Sequence, residues 1–399
     1  MKKITHLLNQ SSLYLFPGLA LLLALFAKET SEAARNAIYL CLDVVIPSLF
    51  PFFVLSRLMV PYLSNFSCPV FLRRLFYRLF GLPYYLLPAI VLGYLSGNPT
   101  GAKMARDMME EGVLDPQQAS RLITVTSNCS PLFIIGTIGA GLFKSISIGF
   151  ILLAIHWFSG LIAAILLNLF KRKSNGESKG TLVFDGYPLK ETKGHRRLPA
   201  LIPPAIEDAA ILSIKVTGYI VLFAVLSELL GRLGVFSFLG GVFAMLFPGS
   251  GSISGFQELM TSIMKGILEI TSGSKAISVA MNTTVIVQLA AVSLICGFAG
   301  FSIHTQIMGL MRGTGVRYRL FLLGRILHGS LACLLTVLVL SFMPLSIQTS
   351  GIEYAGVESS WILRLLMISV LIGSLLINPF ETERAIKKRS GSSRKPMQS

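Results

Sequence analysis

The residues that could do chemistry in this chain are few, and they cluster where apolar sequence is interrupted. Asn98 and Thr100 stand in Ser96-Gly97-Asn98-Pro99-Thr100-Gly101, with Lys103 just beyond. Asn128 and Ser130 stand in Thr126-Ser127-Asn128-Cys129-Ser130-Pro131. Glu269 precedes an expected break at Thr271 to Ser274, which holds Ser272 and Ser274 and is followed by Lys275. His304 and Gln306 follow a fourth break, Cys296-Gly-Phe-Ala-Gly-Phe-Ser302. Backbone that leaves the helix at membrane depth is tolerated only where protein buries it or where it lines a polar cavity. Broken helices of this kind point to a transporter's binding site. Helix starts also present unpaired N–H groups and a positive dipole end, which suit anions. The chemistry is therefore binding. Asn98, Thr100, Lys103, Asn128, Ser130, Ser272, Ser274 and Lys275 are the candidate substrate ligands, and Glu269, His304 and Gln306 the candidates for coupling or gating. The sequence has no nucleophile–base pair, metal-ligand spacing or phosphate loop, so no enzyme, metal or cofactor is expected.

Each assignment has a plainer alternative. Lys103 and Lys275 could snorkel to the membrane surface instead of meeting a small anion. Glu269 could pair with Lys275 or Lys103, or bind a coupling cation or proton. His304 could carry a proton or only pack between helices. Asn and Ser side chains such as Asn98, Asn128, Ser130 and Asn282 also tie helices together, and Asp43 has the same ambiguity.

The elements that must position these residues are membrane helices. The chain has 399 residues, 53% of them hydrophobic and 14% charged, with mean hydropathy +0.70. Soluble domains carry about 25% charged residues. The net charge of +16 sits mostly in loops and at the C-terminus, as a positive-inside bias would place it. With no recognition motif beside it, nucleic-acid binding is not expected. The five cysteines are scattered and suit apolar packing better than disulfides or a metal site.

Five regions follow. Residues 1–35 hold a first transmembrane helix over Leu13 to Ala27, preferred to a signal peptide. Residues 36–170 form a first membrane repeat, with a kinked span at Pro47 and Pro51 and a clean span from Ile146 to Phe170. Residues 171–200 are a basic cytoplasmic loop, residues 201–345 a second membrane repeat, and residues 346–399 a last transmembrane helix (Trp361 to Ile377) with a basic cytoplasmic tail. Arg312, Arg317, Arg319 and Arg325 are assigned to a cytoplasmic loop within the second repeat. GSGSISG, Gly249 to Gly255, is a loop between membrane segments. The halves echo one another about 170 residues apart: FPFFVLSRL with VLFAVLSEL, Gly101-Ala102-Lys103 with Gly273-Ser274-Lys275, and CSPLFIIGTIGAGLFK with CGFAGFSIHTQIMGLMR. Between the first two breaks, the spacing predicts a helix over Ala102 to Glu111, with Met104 and Met108 on one side. Gly112 ends it in a left-handed conformation. Asp115-Pro116-Gln117-Gln118 starts the next helix with a capping box.

The segments SGNPTGAKMARDM and SNCSPLFIIGTIGAGLF, then GILEITSG and CGFAGFSIHTQ, resemble in order the signatures of the YlbJ-type sporulation integral membrane proteins, the stage V sporulation dipicolinate transporter family. Asn98 stands where that family more usually has an aromatic residue. The resemblance covers nearly the whole chain. It implies a gate-domain architecture similar to concentrative nucleoside transporters: all-α, polytopic, two repeats with broken helices and re-entrant hairpins. It also implies a protein of the mother-cell-derived outer forespore membrane that moves dipicolinate, a flat aromatic dianion, into the intermembrane space. The expected partners are that anion, the lipid bilayer and a coupling proton or cation; the oligomeric state is open. A transporter of nucleosides or another small metabolite is the first alternative. A non-transporting membrane scaffold for spore cortex or envelope assembly is the second.

Overall fold

The computed structural model describes residues 16–66, 68–174, 198–246, 253–280 and 283–342. Asn282, most of the basic central loop, the start of GSGSISG, and the last span with its tail lie outside the described residues, as do residues 1–15.

Every regular element among the described residues is helical. Helix α1 is described over Phe16–Leu25, and the expected start of the first span, Leu13, lies outside the described residues. Helices α2 (Ala27–Leu40) and α3 (Ile46–Met59) are joined by a π-turn at Cys41–Val45. Pro47 explains the turn. It has no N–H to give a carbonyl one turn back, and its ring crowds that carbonyl, so the helix widens just before it. The run from Ala27 to Leu63 nonetheless continues as one helical rod of 37 residues, starting earlier than the apolar pattern alone marks. Helix α4 (Val70–Phe80) then bends by 80° into α5, which is Leu87–Ser96 preceded by a short 3-10 turn.

The interrupted stretch comes next. Helix α6 (Thr100–Glu110) and α7 (Pro116–Thr126) lead to a π-helical segment, Leu132–Leu142, and then to the long α8, Ile146–Ser174. The turn between α6 and α7 is built as expected. Gly112 has φ +72°, the Asp115 side chain accepts from the amides of Gln117 and Gln118, and Gln118 Oε1 accepts from the Asp115 amide at 3.1 Å. Met104 and Met108 are fully buried, while Arg106 and Glu110 pair at 2.5 Å on the outer face.

The rest of the chain is α9 (Leu198–Arg232), α10 (Val235–Leu246), α11 (Ile253–Leu268), α12 (Ile270–Ser278), α13 (Val285–Phe298), α14 (Gly300–Leu310) and α15 (Tyr318–Ser341). Two sequence assignments change here. The third break falls at Glu269, not at Thr271 to Ser274, which form the first turns of α12. Arg325 is not in a loop. It lies inside α15 and is 1% exposed.

Five helical runs among the described residues are long and apolar enough to cross a membrane, and a sixth if α4 and α5 count as one bent span. Their outer faces carry exposed apolar side chains, such as Ile214 and Leu222 on α9 and Leu334 and Leu338 on α15. Apolar residues on the outside and polar ones within are the pattern of a chain solvated by lipid. The main core packs α4 to α7 against α8, α14 and α15, through Leu82, Leu86, Leu122, Ile123, Ile307 and Phe321. The protein is a polytopic all-α membrane protein.

Candidate functional site

The four helix interruptions converge. A cavity of about 110 Å³ is lined by Asn98 from the first, by Cys129 and Ser130 from the second and by Glu269 from the third. The helix after the fourth, α14, contributes Ser302, Ile303 and Gln306. The remaining wall comes from Val44 and Val45 of the π-turn, Ser48 and Leu49 of α3, and Val216 and Ile220 of α9. The surface is thus apolar with a few polar groups, the usual make-up of a small-molecule site.

Each interruption is held by identifiable bonds. At the first, Gly97 adopts φ +82° and lies against Ser130, so near that a side chain there would come within 2.6 Å of the Ser130 amide nitrogen. Glycine alone meets both demands. The peptide between Asn98 and Pro99 is cis. The Asn98 amide donates to the Asn128 carbonyl at 2.8 Å, which joins the first interruption to the second.

At the second, two side chains from other helices, Arg325 and His156, meet the exposed backbone. Arg325 donates from Nη2 to the Thr124 carbonyl at 2.9 Å and from Nη1 to the Ser127 carbonyl. The Cys129 amide donates to His156 Nε2 at 3.0 Å. The ring of His328 lies 4.5 Å from that of His156, with Nε2 2.9 Å from the His156 carbonyl. Since His156 Nε2 accepts, its proton is on Nδ1; since His328 Nε2 faces a carbonyl, it carries the proton there.

The third interruption is capped by its own side chain. Glu269 has extended backbone (φ −143°, ψ 118°), and its carboxylate accepts from the amides of Thr271 and Ser272 at 2.8 and 2.7 Å. A carboxylate at a helix N-terminus satisfies orphan donors and meets the positive dipole end. Glu269 therefore pairs with neither Lys275 nor Lys103, as the sequence had allowed. Helices α11 and α12 pass closely, because a side chain on Gly273 would overlap the backbone of Gly266. At the fourth, Ala299 takes φ +73° between α13 and α14.

The structure brings some of the expected site residues together and sets others apart. Asn98, Ser130, Glu269 and Gln306 line the cavity. Thr100, Asn128 and Ser274 are buried beside the interruptions but are not among its lining residues. Ser272 Oγ bonds to the Glu269 carbonyl at 3.2 Å and meets Ser227 Oγ at 3.3 Å. His304 has both ring nitrogens engaged, Nδ1 with the Tyr318 hydroxyl at 2.9 Å and Nε2 with the Phe298 carbonyl at 2.8 Å. It stacks among Phe298, Phe301 and Phe321. Lys275 is exposed near the end of α12. Lys103 lies one turn into α6, paired with Asp107 at 2.5 Å and 3.7 Å from Asp208. Arg57 joins the same network through Asp107, Glu111 and Asp208. Among the cavity-lining residues Glu269 is the one with an acidic side chain, and none is Lys, Arg or His.

Sequence reading missed Arg325, His156 and His328. A signal existed: each stands in an apolar helix, and the two histidines lie about 170 residues apart, at matching points of α8 and α15.

Comparison with protein-family models finds no match, and no solved structure matches. The sporulation integral membrane protein YlbJ of Bacillus subtilis (strain 168) is 29% identical to this chain over 320 residues, covering 77% of each. That likeness supports a sporulation integral membrane protein of the YlbJ type.

Proposed function

We propose that this protein is a sporulation transporter that moves dipicolinic acid from the mother cell across the outer forespore membrane. The observation that carries the reading is the convergence of four broken helices on one cavity, the arrangement by which transporters build a central site. The order of elements supports two repeated halves of nucleoside-transporter type. In each half a long rod leads to a shorter helix, then to a hairpin with a broken tip. A broken helix and a second long rod complete the half. Asn98, Ser130, Thr271, Ser302 and Gln306 add hydrogen-bonding groups to an otherwise mostly apolar cavity wall, the complement of an aromatic ring with polar edges.

Charge sets the mechanism. Glu269 already occupies the N-terminus of α12, so a dianion enters only when that carboxylate is neutralised or leaves. Neutralisation by a coupling cation that accompanies substrate is the simplest route.

The test is uptake of labelled dipicolinate by proteoliposomes carrying the protein, beside protein-free vesicles. Saturable uptake, resistant to excess nucleoside, is expected. Nucleoside competition would redirect the substrate assignment. Correctly inserted protein with no uptake would remove the dipicolinate-transport reading.

A further inference from the structure

Helix α7 stops at Thr126, and its last carbonyls have no partner within the helix. Two are met from outside the segment. Arg325, on α15, reaches the Thr124 carbonyl with Nη2 and the Ser127 carbonyl with Nη1. In a continuing helix the first would accept from the amide of Asn128, and the second from residue 131, which is a proline and has none. The Asn128 amide instead turns to the Thr126 carbonyl at 3.0 Å. Arg325 thus holds a carbonyl that an unbroken helix would claim, and another that Pro131 leaves open. Its charge faces the negative end of α7. Among the described residues no carboxylate forms an ion pair with it. His156 fixes the next amide, that of Cys129. Arg325 is buried and is not one of the residues that line the cavity, whereas Cys129 and Ser130 are.

We propose that Arg325 is the positioning residue of the transport site: its guanidinium fork keeps residues 127–130 unwound, so that Cys129 and Ser130 face the cavity. The consequence for transport rests on the function proposed above; the geometric part does not. Lysine carries the charge but has no planar fork to span two carbonyls.

The experiment reads Cys129 directly. In protein with Cys41, Cys68, Cys296 and Cys333 replaced by alanine, the rate of Cys129 modification by a small methanethiosulfonate reagent is measured in native membranes. It is compared between Arg325, Arg325→Lys and Arg325→Met. A cysteine placed at Ser48, on the opposite wall, is followed in parallel with Cys129 also replaced. The rate at Cys129 should fall about tenfold or more in both variants, on the scale of a lost charge-assisted bond. The rate at position 48 should stay within about twofold, a selectivity that general loosening of the fold would not give. A parent-like rate at Cys129 in Arg325→Lys, the milder change, overturns the proposal; so does an equal fall at both positions. If labelling depends on Arg325 while the parent protein moves no dipicolinate, the transport reading fails and the positioning role stands.

Discussion

At the scale of single residues, Glu269 carries the sharpest consequence. It is both the cap of α12 and the acidic group on the cavity wall. A substrate carboxylate about 6 Å away would feel roughly 3 kcal/mol of repulsion at an effective dielectric near 20, about a hundredfold in occupancy. A neutral side chain at position 269 exerts no such repulsion. Glu269→Gln keeps one capping oxygen and removes the charge. The variant should have a KM for dipicolinate below the parent's, by up to about a hundredfold. Initial-rate uptake at several dipicolinate concentrations checks it; a variant with the parent's KM would show that Glu269 exerts no such repulsion on the substrate. The sequence marked Glu269 as an ionisable residue in an apolar helix but suggested lysine partners. Its true partners are main-chain amides two and three residues on, which no count of side-chain charges displays.

At the scale of elements, local signals were legible and distant ones were not. The capping box at Asp115, the left-handed Gly112 and the interruptions at Gly97 and Ser127 depend on residues within one turn, and they stand where the sequence put them. Their energetics can be tested separately from function. Asp115 lies on an exposed turn and caps α7 at the end opposite the cavity. Asp115→Ala should cost about 1 kcal/mol of stability, seen as a lowered thermal midpoint, while uptake per folded molecule is unchanged. A loss of uptake at equal folding would show that the start of α7 moves with the site. Arg325 was illegible for the opposite reason. Basic residues before it, at 312, 317 and 319, suggest a loop, and only the packing of α15 against the end of α7 shows why a guanidinium is buried there. Removing it leaves two carbonyls unpaired, each costing about 1–3 kcal/mol. The π-turn at Cys41–Val45 lies between: Pro47 announced a kink, but not that the helix would absorb it by widening.

At the scale of the whole molecule, the transport proposed above would require the cavity to open to each side in turn and some contacts around the α5–α6 hairpin to yield. The ionic ones join α6 to α3 and α9. Arg57 lies 3.7 Å from Asp107, 3.5 Å from Glu111 and 3.4 Å from Asp208, and Lys103 bridges Asp107 and Asp208. Asp107 is buried, but Asp208 is 42% exposed. The pairs to Asp208 are open to solvent and worth about 0–1 kcal/mol each, so they can part and re-form while the buried Lys103–Asp107 pair stays. This placement gives Lys103 different kinetics from a lysine that binds substrate. A ligand lysine changed to methionine raises KM. A latch lysine leaves KM within about twofold and alters kcat, because the free energy removed belongs to one conformation of the protein and not to the bound anion. Lys103→Met should therefore shift kcat for dipicolinate uptake, Asp208→Asn should shift it in the same direction, and Lys275→Met should change neither constant. A tenfold rise in KM at unchanged kcat in Lys103→Met, absent from Asp208→Asn, would instead place the Lys103 ammonium on the substrate. The matching lysines that drew attention in the sequence would then have diverged in role only at Lys275, since one hairpin packs against charged helices and the other leaves its lysine exposed.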